Sequence, residues 1–281
     1  MKLQVQGPVQ KQQAYAYSGG KPFDPALPCV VFVHGALHDH SVWTLLARWF
    51  AHHGYGVLAV DLPGHARSAG PPLADVETNA AWLLALLDAA GVQRAALVGH
   101  SMGSLIALEA AAQAPQRATR LVMIGSTYPM KVSEALLTLA REQPLRAIDM
   151  VNALSISSIA SKPSVPGPGA WLHGGNRALM RRTQALAQRA HGINLFEHDF
   201  SVCDRYGGGL QAAARVAAHV LADAACPVTL ILGARDQMTP PRAAGEIAAA
   251  LKARLVTLPC GHLQMGEAPD AVLNALRTAL N

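Results

Sequence analysis

Ser101 stands midway between Gly99 and Gly103 in the stretch Val98–Ser104, VGHSMGS. An apolar run, Ala95–Val98, precedes it and a second, Leu105–Ala112, follows with the look of a helix. A serine two residues from a glycine on either side, set between a strand and a helix, is a nucleophile elbow. The turn is tight enough that side chains at the flanking positions would collide with the strand or the helix, and glycine removes the clash. Serine is a poor nucleophile at neutral pH, so it needs a base in hydrogen-bond reach and a third group to orient that base. Of twelve histidines, His262 in PCGHLQMGE is best placed, directly after the last expected strand, with Cys260-Gly261 forming a short turn that lets the imidazole swing toward Ser101. The orienting carboxylate should follow another strand. Asp236 does, three residues past Gly233 in GARDQMTP; Asp61 is the alternative, although the DLPGH segment reads as a loop pin.

Attack on a carbonyl develops an oxyanion, which needs donors already in place. The Met102 N–H sits at the N-terminus of the elbow helix, where the helix dipole adds positive potential. A second donor is expected from the loop after Cys29–His34, at Ala36. His38, Met130, Trp171 and Met238 are candidates to line an apolar acyl pocket, with Met102 a further candidate through its side chain. Methionine fits irregular gaps of this kind, in a pocket or in a core. His34 and His65 are expected to hydrogen-bond loops under the site, His100 to point away from the pocket, and Trp43 to anchor its helix on the sheet. His38-Asp39-His40 has the look of a metal pair, but no third and fourth ligand recur nearby, so no metal is expected.

These residues need a scaffold that brings them to one edge. Cys29–His34 and Tyr55–Asp61 are apolar runs suited to strands buried on both faces, as in a parallel sheet. Ala14–Tyr17 alternates weakly, as an edge hairpin does. Ser41 reads as the N-cap of a helix over 42–53 ended by Gly54, and Asp75–Ala90 as a helix with Leu83, Leu84, Leu86 and Leu87 on its apolar face. Arg120–Gly125 is another strand. Such alternation demands right-handed crossovers and a parallel sheet. It breaks after Ser126. Residues 127–207 read as helices over Glu134–Arg141, Leu145–Ile159 and Asn176–His191, the last with a stripe of Leu179, Met180, Thr183, Leu186, Ala187 and Ala190. The Pro- and Gly-rich Pro163–Gly175 between them is expected to be irregular, and Gly207-Gly208-Gly209 to mark the return. Strands at Pro227–Gly233 and Arg254–Leu258 alternate with helices at Pro241–Leu251 and Glu267–Leu280. The division is therefore a core of 1–126 and 208–281 and a helical cap of 127–207, over the carboxyl ends of the strands, where ligands sit in open α/β sheets.

Composition excludes other classes. With 51% hydrophobic and 15% charged residues the chain is globular. The net charge is +5, yet the densest basic group, Arg177, Arg181, Arg182 and Arg189, lies at helical spacing and reads as a solvated face; a weaker reading has one of them attract an anionic substrate. Aromatic residues amount to 5%, too few for the clustered bases and aromatics of a nucleic-acid binder. No apolar run is long enough to span a membrane, and MKLQVQGPVQKQQ has no apolar signal segment. Cys29, Cys203, Cys226 and Cys260 form no CxxC pair, as expected of core residues in a reducing compartment, the cytoplasm by default. The oligomeric state is left open, a homodimer included.

Five segments together, HGALHDHSVW (34–43), DLPGHARS (61–68), GHSMG (99–103), GARDQMTP (233–240) and GHLQMGEAP (261–269), make the chain resemble the α/β-hydrolase superfamily from about Val30 to Leu280. The resemblance implies a mostly parallel sheet flanked by helices, a helical cap inserted after the strand that follows the elbow helix, and the triad Ser101, Asp236, His262. Dehalogenases and epoxide hydrolases of this superfamily carry Asp at the elbow, so Ser101 argues against both. Its C–C hydrolases carry a more glycine-rich oxyanion loop and a Trp after the catalytic His, where this chain has Ala36-Leu37-His38 and Leu263. The expected function is a serine hydrolase of a small ester, thioester or lactone, acting through an acyl-enzyme with no cofactor and a small carbonyl compound as its partner. C–C hydrolysis of a vinylogous diketone, acyl transfer or perhydrolysis on the same triad, and a slow-turnover ligand sensor are the alternatives.

Overall fold

The architecture was established from a computed structural model that describes residues 1–7, 11–157, 168–220 and 226–281. Strands β1 (Lys2–Gln6), β2 (Lys11–Tyr17), β3 (Cys29–Val33), β4 (Gly56–Asp61), β5 (Ala95–His100), β6 (Ala118–Ile124), β7 (Val228–Gly233) and β8 (Arg254–Leu258) form one sheet in the order β1-β2-β4-β3-β5-β6-β7-β8. β1 and β2 are the antiparallel edge hairpin, β2 pairs antiparallel with β4, and every other pairing is parallel. Every residue of β3, β4, β5 and β7 is buried, the pattern that a parallel sheet covered on both faces requires.

The period of two divides each strand between two cores. Val31 and Val33 of β3 and Leu97 of β5 face one cluster, with α2 (Val76–Ala89) and α3 (Met102–Gln113). Val30 and Phe32 of β3 and Val98 of β5 face the other, with α1 (Thr44–His52) and the closing helix. There the rings of Trp43 and Phe32 lie 5.1 Å apart, so Trp43 is the expected anchor, and burying each such side chain contributes roughly 1.5–3 kcal/mol. The chain steps from β3 to β4 on one side and returns to β5 on the other, so the loops after β3 and β5 diverge at a switch point, where such sheets bind ligands.

Between β6 and β7 stand α4 (Glu134–Glu142), α5 (Pro144–Ser155), α6 (Pro168–His191), α7 (Leu195–Arg205) and α8 (Gly209–Val220). The first four share a core of their own, including Ile148, Met180, Leu195 and Phe196, plugged from below by Leu37 of the β3 loop. α8 instead lies against α3 and α9 (Gly245–Ala250). A four-residue α10 (Gln264–Glu267) and α11 (Pro269–Leu280) close the chain.

Several local expectations need correction. Asp39, not Ser41, caps the first turn of the helix after β3, because its carboxylate reaches back over the Ser41 N–H, and that turn is 3-10 over His40–Trp43. Residues 168–175 are helix: Pro168 enters at the first turn, where no N–H is needed. The rest of the Pro-rich stretch lies outside the described residues. The helix read over 145–159 ends sooner, at Ser155, because Ile156 is already extended; 158–159 lie outside the described residues. Ala190 of the expected α6 stripe is exposed, while Asn176 and Gln184 are buried. α7 and α8 escaped the sequence reading. The glycine triplet read as a break begins α8 at Gly209, where a Cβ would stand 2.3 Å from the Tyr128 ring. The arginines of α6 are not simply solvated. Arg177 and Arg181 both pair with Asp149 of α5 and Arg182 with Asp39.

Candidate active site

Ser101 closes the turn between β5 and α3 with φ +52° and ψ −123°, a backbone conformation that costs an ordinary residue about 1–3 kcal/mol. Its surroundings enforce the turn. A Cβ on Gly99 would stand 2.1 Å from the Gly103 carbonyl, and one on Gly103 would stand 2.3 Å from that of Val33. The Ser101 N–H is held by the Ile124 carbonyl at 2.9 Å, and the Ser101 carbonyl accepts the Ser104 hydroxyl at 2.5 Å.

His262 leaves the end of β8 through Gly261, and its Nδ1–H donates to Asp236 Oδ2 at 2.8 Å. Asp236 is buried, and its oxygens also accept the N–H groups of Met238 and Thr239, each at 2.8 Å, and the Thr239 hydroxyl at 2.7 Å. Burial pushes the Asp236 pKa up, but the charge of His262 and these hydrogen bonds outweigh it and hold the carboxyl below its ordinary range. The backbone of the His262 loop is fixed from the helical layer. The N–H groups of His262 and Leu263 both donate to the Ser155 carbonyl at the end of α5, at 2.9 and 3.0 Å.

Ser101 and His262 line one cavity of about 60 Å³, together with Ala36, His38, Met130 and Met238. Among the described residues no hydrogen bond joins the Ser101 hydroxyl to His262; such contacts commonly tighten only when substrate is bound. The N–H groups of Ala36 and Met102, on the loop after β3 and the first turn of α3, have no acceptor among the described residues. The neighbouring Leu37 N–H, at a residue with φ +59°, is taken by Asp199 Oδ2 at 2.9 Å.

Other expected site residues lie elsewhere. Trp171 is 82% exposed and belongs to an outer groove of about 290 Å³ with Leu45, Leu179 and Leu263, away from Ser101. The Met102 side chain is packed in the core beneath the sheet. His100 does not point away: its imidazole lines the cavity, with Nε2 on the His262 carbonyl at 2.9 Å. None of the α6 arginines lines the cavity; its basic residue is Lys131. Asp61 is occupied by His40 and the Arg67 N–H, as a loop pin is. His34 and His65 serve loops as expected, on the Leu62 N–H and the Pro63 carbonyl.

His38 and His40 diverge, His38 to the cavity and His40 to Asp61, so they do not form a pair. Asp39, His40 and Asp61 do converge within 4.8 Å, but their oxygens are taken by the Ser41 and Arg67 N–H groups, the Ser41 hydroxyl, Arg182 and His40 itself. All four cysteines are buried and unpaired. Burial pushes the Cys29 and Cys260 thiols up to about 12 and the Cys203 thiol, in the cavity wall, higher still, so none is a thiolate nucleophile at neutral pH.

Three contributors were not read from the sequence. Thr239 holds Asp236, and its signal was present in the Asp-x-x-Thr spacing, which favours a side-chain-capped turn. Asn176, on His38, and Asp199, on Leu37 and His65, come from α6 and α7, whose placement no local pattern discloses.

The profile of the alpha/beta hydrolase family matches residues 30–275, and the chain belongs to that family. A putative carbamate hydrolase, RutD, of Klebsiella pneumoniae is 28% identical over 241 residues, spanning 84% of this chain and 85% of that protein. The fold is shared with an enol-lactonase from Burkholderia xenovorans, at TM-score 0.78, 19% identity and 96% of each chain. It is shared as well with an esterase from Exiguobacterium antarcticum, at TM-score 0.75, 16% identity, 100% of this chain and 99% of that one. Among the described residues no helix is long and apolar enough to cross a membrane.

Proposed function

We propose that the chain is a serine hydrolase that cleaves a small ester, thioester or lactone through an acyl-enzyme, with residues 127–207 as its cap. The observation that carries this reading is the strained Ser101 sharing a cavity with His262, whose Nδ1–H is tied to the buried Asp236. With Nδ1 protonated, Nε2 is the lone pair that takes the Ser101 proton as Oγ bonds to the carbonyl carbon. The N–H groups of Met102 and Ala36 receive the oxyanion. His262 then returns the proton to the leaving oxygen or sulfur as the bond to it breaks, and repeats the exchange with water to free the acid and Ser101. Asp236 stays ionised throughout, as its depressed pKa favours. The name of the Klebsiella relative extends the carbonyl classes to carbamates. The buried, unpaired cysteines suit a reducing compartment, and we place the protein in the cytoplasm. The test is hydrolysis of phenyl acetate and butyrate by the wild type and Ser101→Ala, with fluorophosphonate labelling of both. Turnover and labelling should vanish together in the variant, and retained esterase activity there would overturn the reading.

A further inference from the structure

Two imidazoles in the wall of the Ser101 cavity, His38 and His100, are more than nine-tenths buried, and each leaves its Nδ1 without a partner among the described residues. A chain of amides fixes the tautomer of the first. Asn152 Nδ2 donates to the main-chain carbonyl of His173 at 3.1 Å, a group that can only accept. The oxygen of Asn152 therefore faces Asn176, whose Nδ2 donates to it at 2.8 Å. That leaves Asn176 Oδ1 facing His38 Nε2 at 2.9 Å. An amide oxygen only accepts, so Nε2 carries the proton and the Nδ1 of a neutral His38 is a bare lone pair. His100 repeats the logic in one step. Its Nε2 faces the His262 carbonyl and must donate, so its Nδ1 is the acceptor, on the side of Gly35 and the oxyanion loop. Burial holds both imidazoles below the ordinary histidine pKa, His100 well below, and so neutral at pH 7.

Three other polar side chains of this wall already hold partners. The Thr239 hydroxyl donates to Asp236, the Ser155 hydroxyl to the Val151 carbonyl, and Lys131 to the Asp204 carbonyl. Alongside Ser101, His262 and the largely exposed Lys131, the wall includes two imidazoles, of His38 and His100, whose buried Nδ1 acceptors have no donor among the described residues. A buried acceptor left in that state is costly, whereas a ligand that supplies the donor is selected over one that cannot. The cavity volume of about 60 Å³ holds only about four to six water-sized groups, so the donor must sit close to the reacting carbonyl.

We infer that the site selects carbonyl substrates bearing a hydroxyl or N–H on the atom next to the scissile carbonyl, 2-hydroxyacyl esters and carbamates being such classes, with His38 Nδ1 as the acceptor. This rests on the serine-hydrolase reading and narrows its substrate. His38 is a specificity residue: it takes no proton in the reaction and discriminates by the hydrogen bond it accepts.

The test compares phenyl glycolate with phenyl propanoate, its near-isostere without a donor, and with phenyl methoxyacetate, which keeps the electron-withdrawing oxygen and lacks the O–H. Each kcat/KM is divided by the hydroxide-catalysed rate of the same ester. Glycolate should lead both by about tenfold or more in the wild type. In His38→Phe that lead should fall to within about twofold, whatever the absolute rates. Asn176→Leu, which frees Nε2 and so the tautomer, should also shrink it and serves if His38→Phe fails to fold. Equal rates for the three esters in the wild type, as water filling the position would give, overturn the inference, and so does a glycolate lead that survives His38→Phe. Those outcomes leave Ser101-dependent hydrolysis intact. If no ester is cleaved in a Ser101-dependent way, the serine-hydrolase reading falls and this inference with it.

Discussion

His65 Nε2 and Asp199 Oδ2 lie 3.0 Å apart, both side chains almost fully buried, one on the loop after β4 and the other on α7. The same carboxylate oxygen takes the Leu37 N–H, next to the proposed oxyanion donor Ala36, and His198 Nδ1 approaches the other oxygen at 3.1 Å. For both partners burial is the largest influence and opposes the charge. Each charge overcomes it for the other, raising the His65 pKa and lowering that of Asp199.

The pair makes stability depend on pH in a definite sense. For His65, raised in the folded state, the contribution is complete below the unfolded value of about 6.5 and is lost as pH rises through the higher folded value. For Asp199, lowered, it is present above about 3.9 and lost only as pH falls through the folded value. The pair is therefore strongest between those limits. His34, whose ring is 4.9 Å from that of His65 and whose pKa burial lowers to about 4, acts oppositely and costs stability as pH falls from about 6.5 toward 4. Asp61 also faces His65 and favours its charge. The pair is isolated by difference: Asp199→Asn keeps an acceptor for Leu37 and removes the charge. The gap in melting temperature between wild type and Asp199→Asn should be widest near pH 5–6 and narrow as pH rises above about 6.5 and through the raised His65 value. A gap that is flat with pH would refute the ion pair.

Ser101 should trade stability for its geometry. Ser101→Gly relieves the positive φ at the expense of a more flexible unfolded chain, and should gain about 1 kcal/mol while losing all turnover. Gly99→Ala runs the other way. Its methyl meets the Gly103 carbonyl at 2.1 Å, and overpacking of that kind costs about 1–3 kcal/mol or more. Urea unfolding of the three proteins measures both effects, and a destabilised Ser101→Gly would contradict the strain argument.

Asp236→Asn should lower kcat by about 10³–10⁴, because an amide turned to accept from His262 no longer stabilises its cation. Thr239→Val removes one of the hydrogen bonds on the same carboxylate, and should cost about tenfold in kcat with KM little changed. Steady-state kinetics on one ester with all three proteins checks the ranking.

Trp171→Ala should leave kcat/KM for a small ester within about twofold, since surface substitutions away from a site rarely exceed about 0.5 kcal/mol. The side chain is in the outer groove, not the cavity. A loss of tenfold or more would mean that the groove feeds the reaction.

The parts of this protein that were legible in its sequence are those whose physics is local. A strand buried on both faces has to be a short apolar run, which is why β3, β4, β5 and β7 could be placed within a residue or two. A serine on a strained turn has to be flanked by glycine, which exposed Ser101. Asp236 and His262 followed because each leaves the carboxyl end of a strand, and the topology brings those ends together. Legibility failed where a side chain chooses between two neighbours. His100 turns into the cavity because the His262 carbonyl waits for its Nε2, a contact spanning 162 positions. α7 hid because LFEHDFSVCDR is polar by composition; its buried Asp199 looks solvent-bound until Leu37 and His65 are set beside it.

The Ser155 carbonyl takes two N–H groups at once, from His262 and Leu263. The last turn of α5 is in consequence a bearing on which the proposed base's loop turns, and α5 also contributes Val151 and Ser155 to the cavity wall. The surface that would sort substrates and the strut that would aim the imidazole are thus the same few residues. A sequence change that shifts the backbone of this turn to admit a larger acyl group would also shift the His262 loop, which ties selectivity to speed at this one place in the chain.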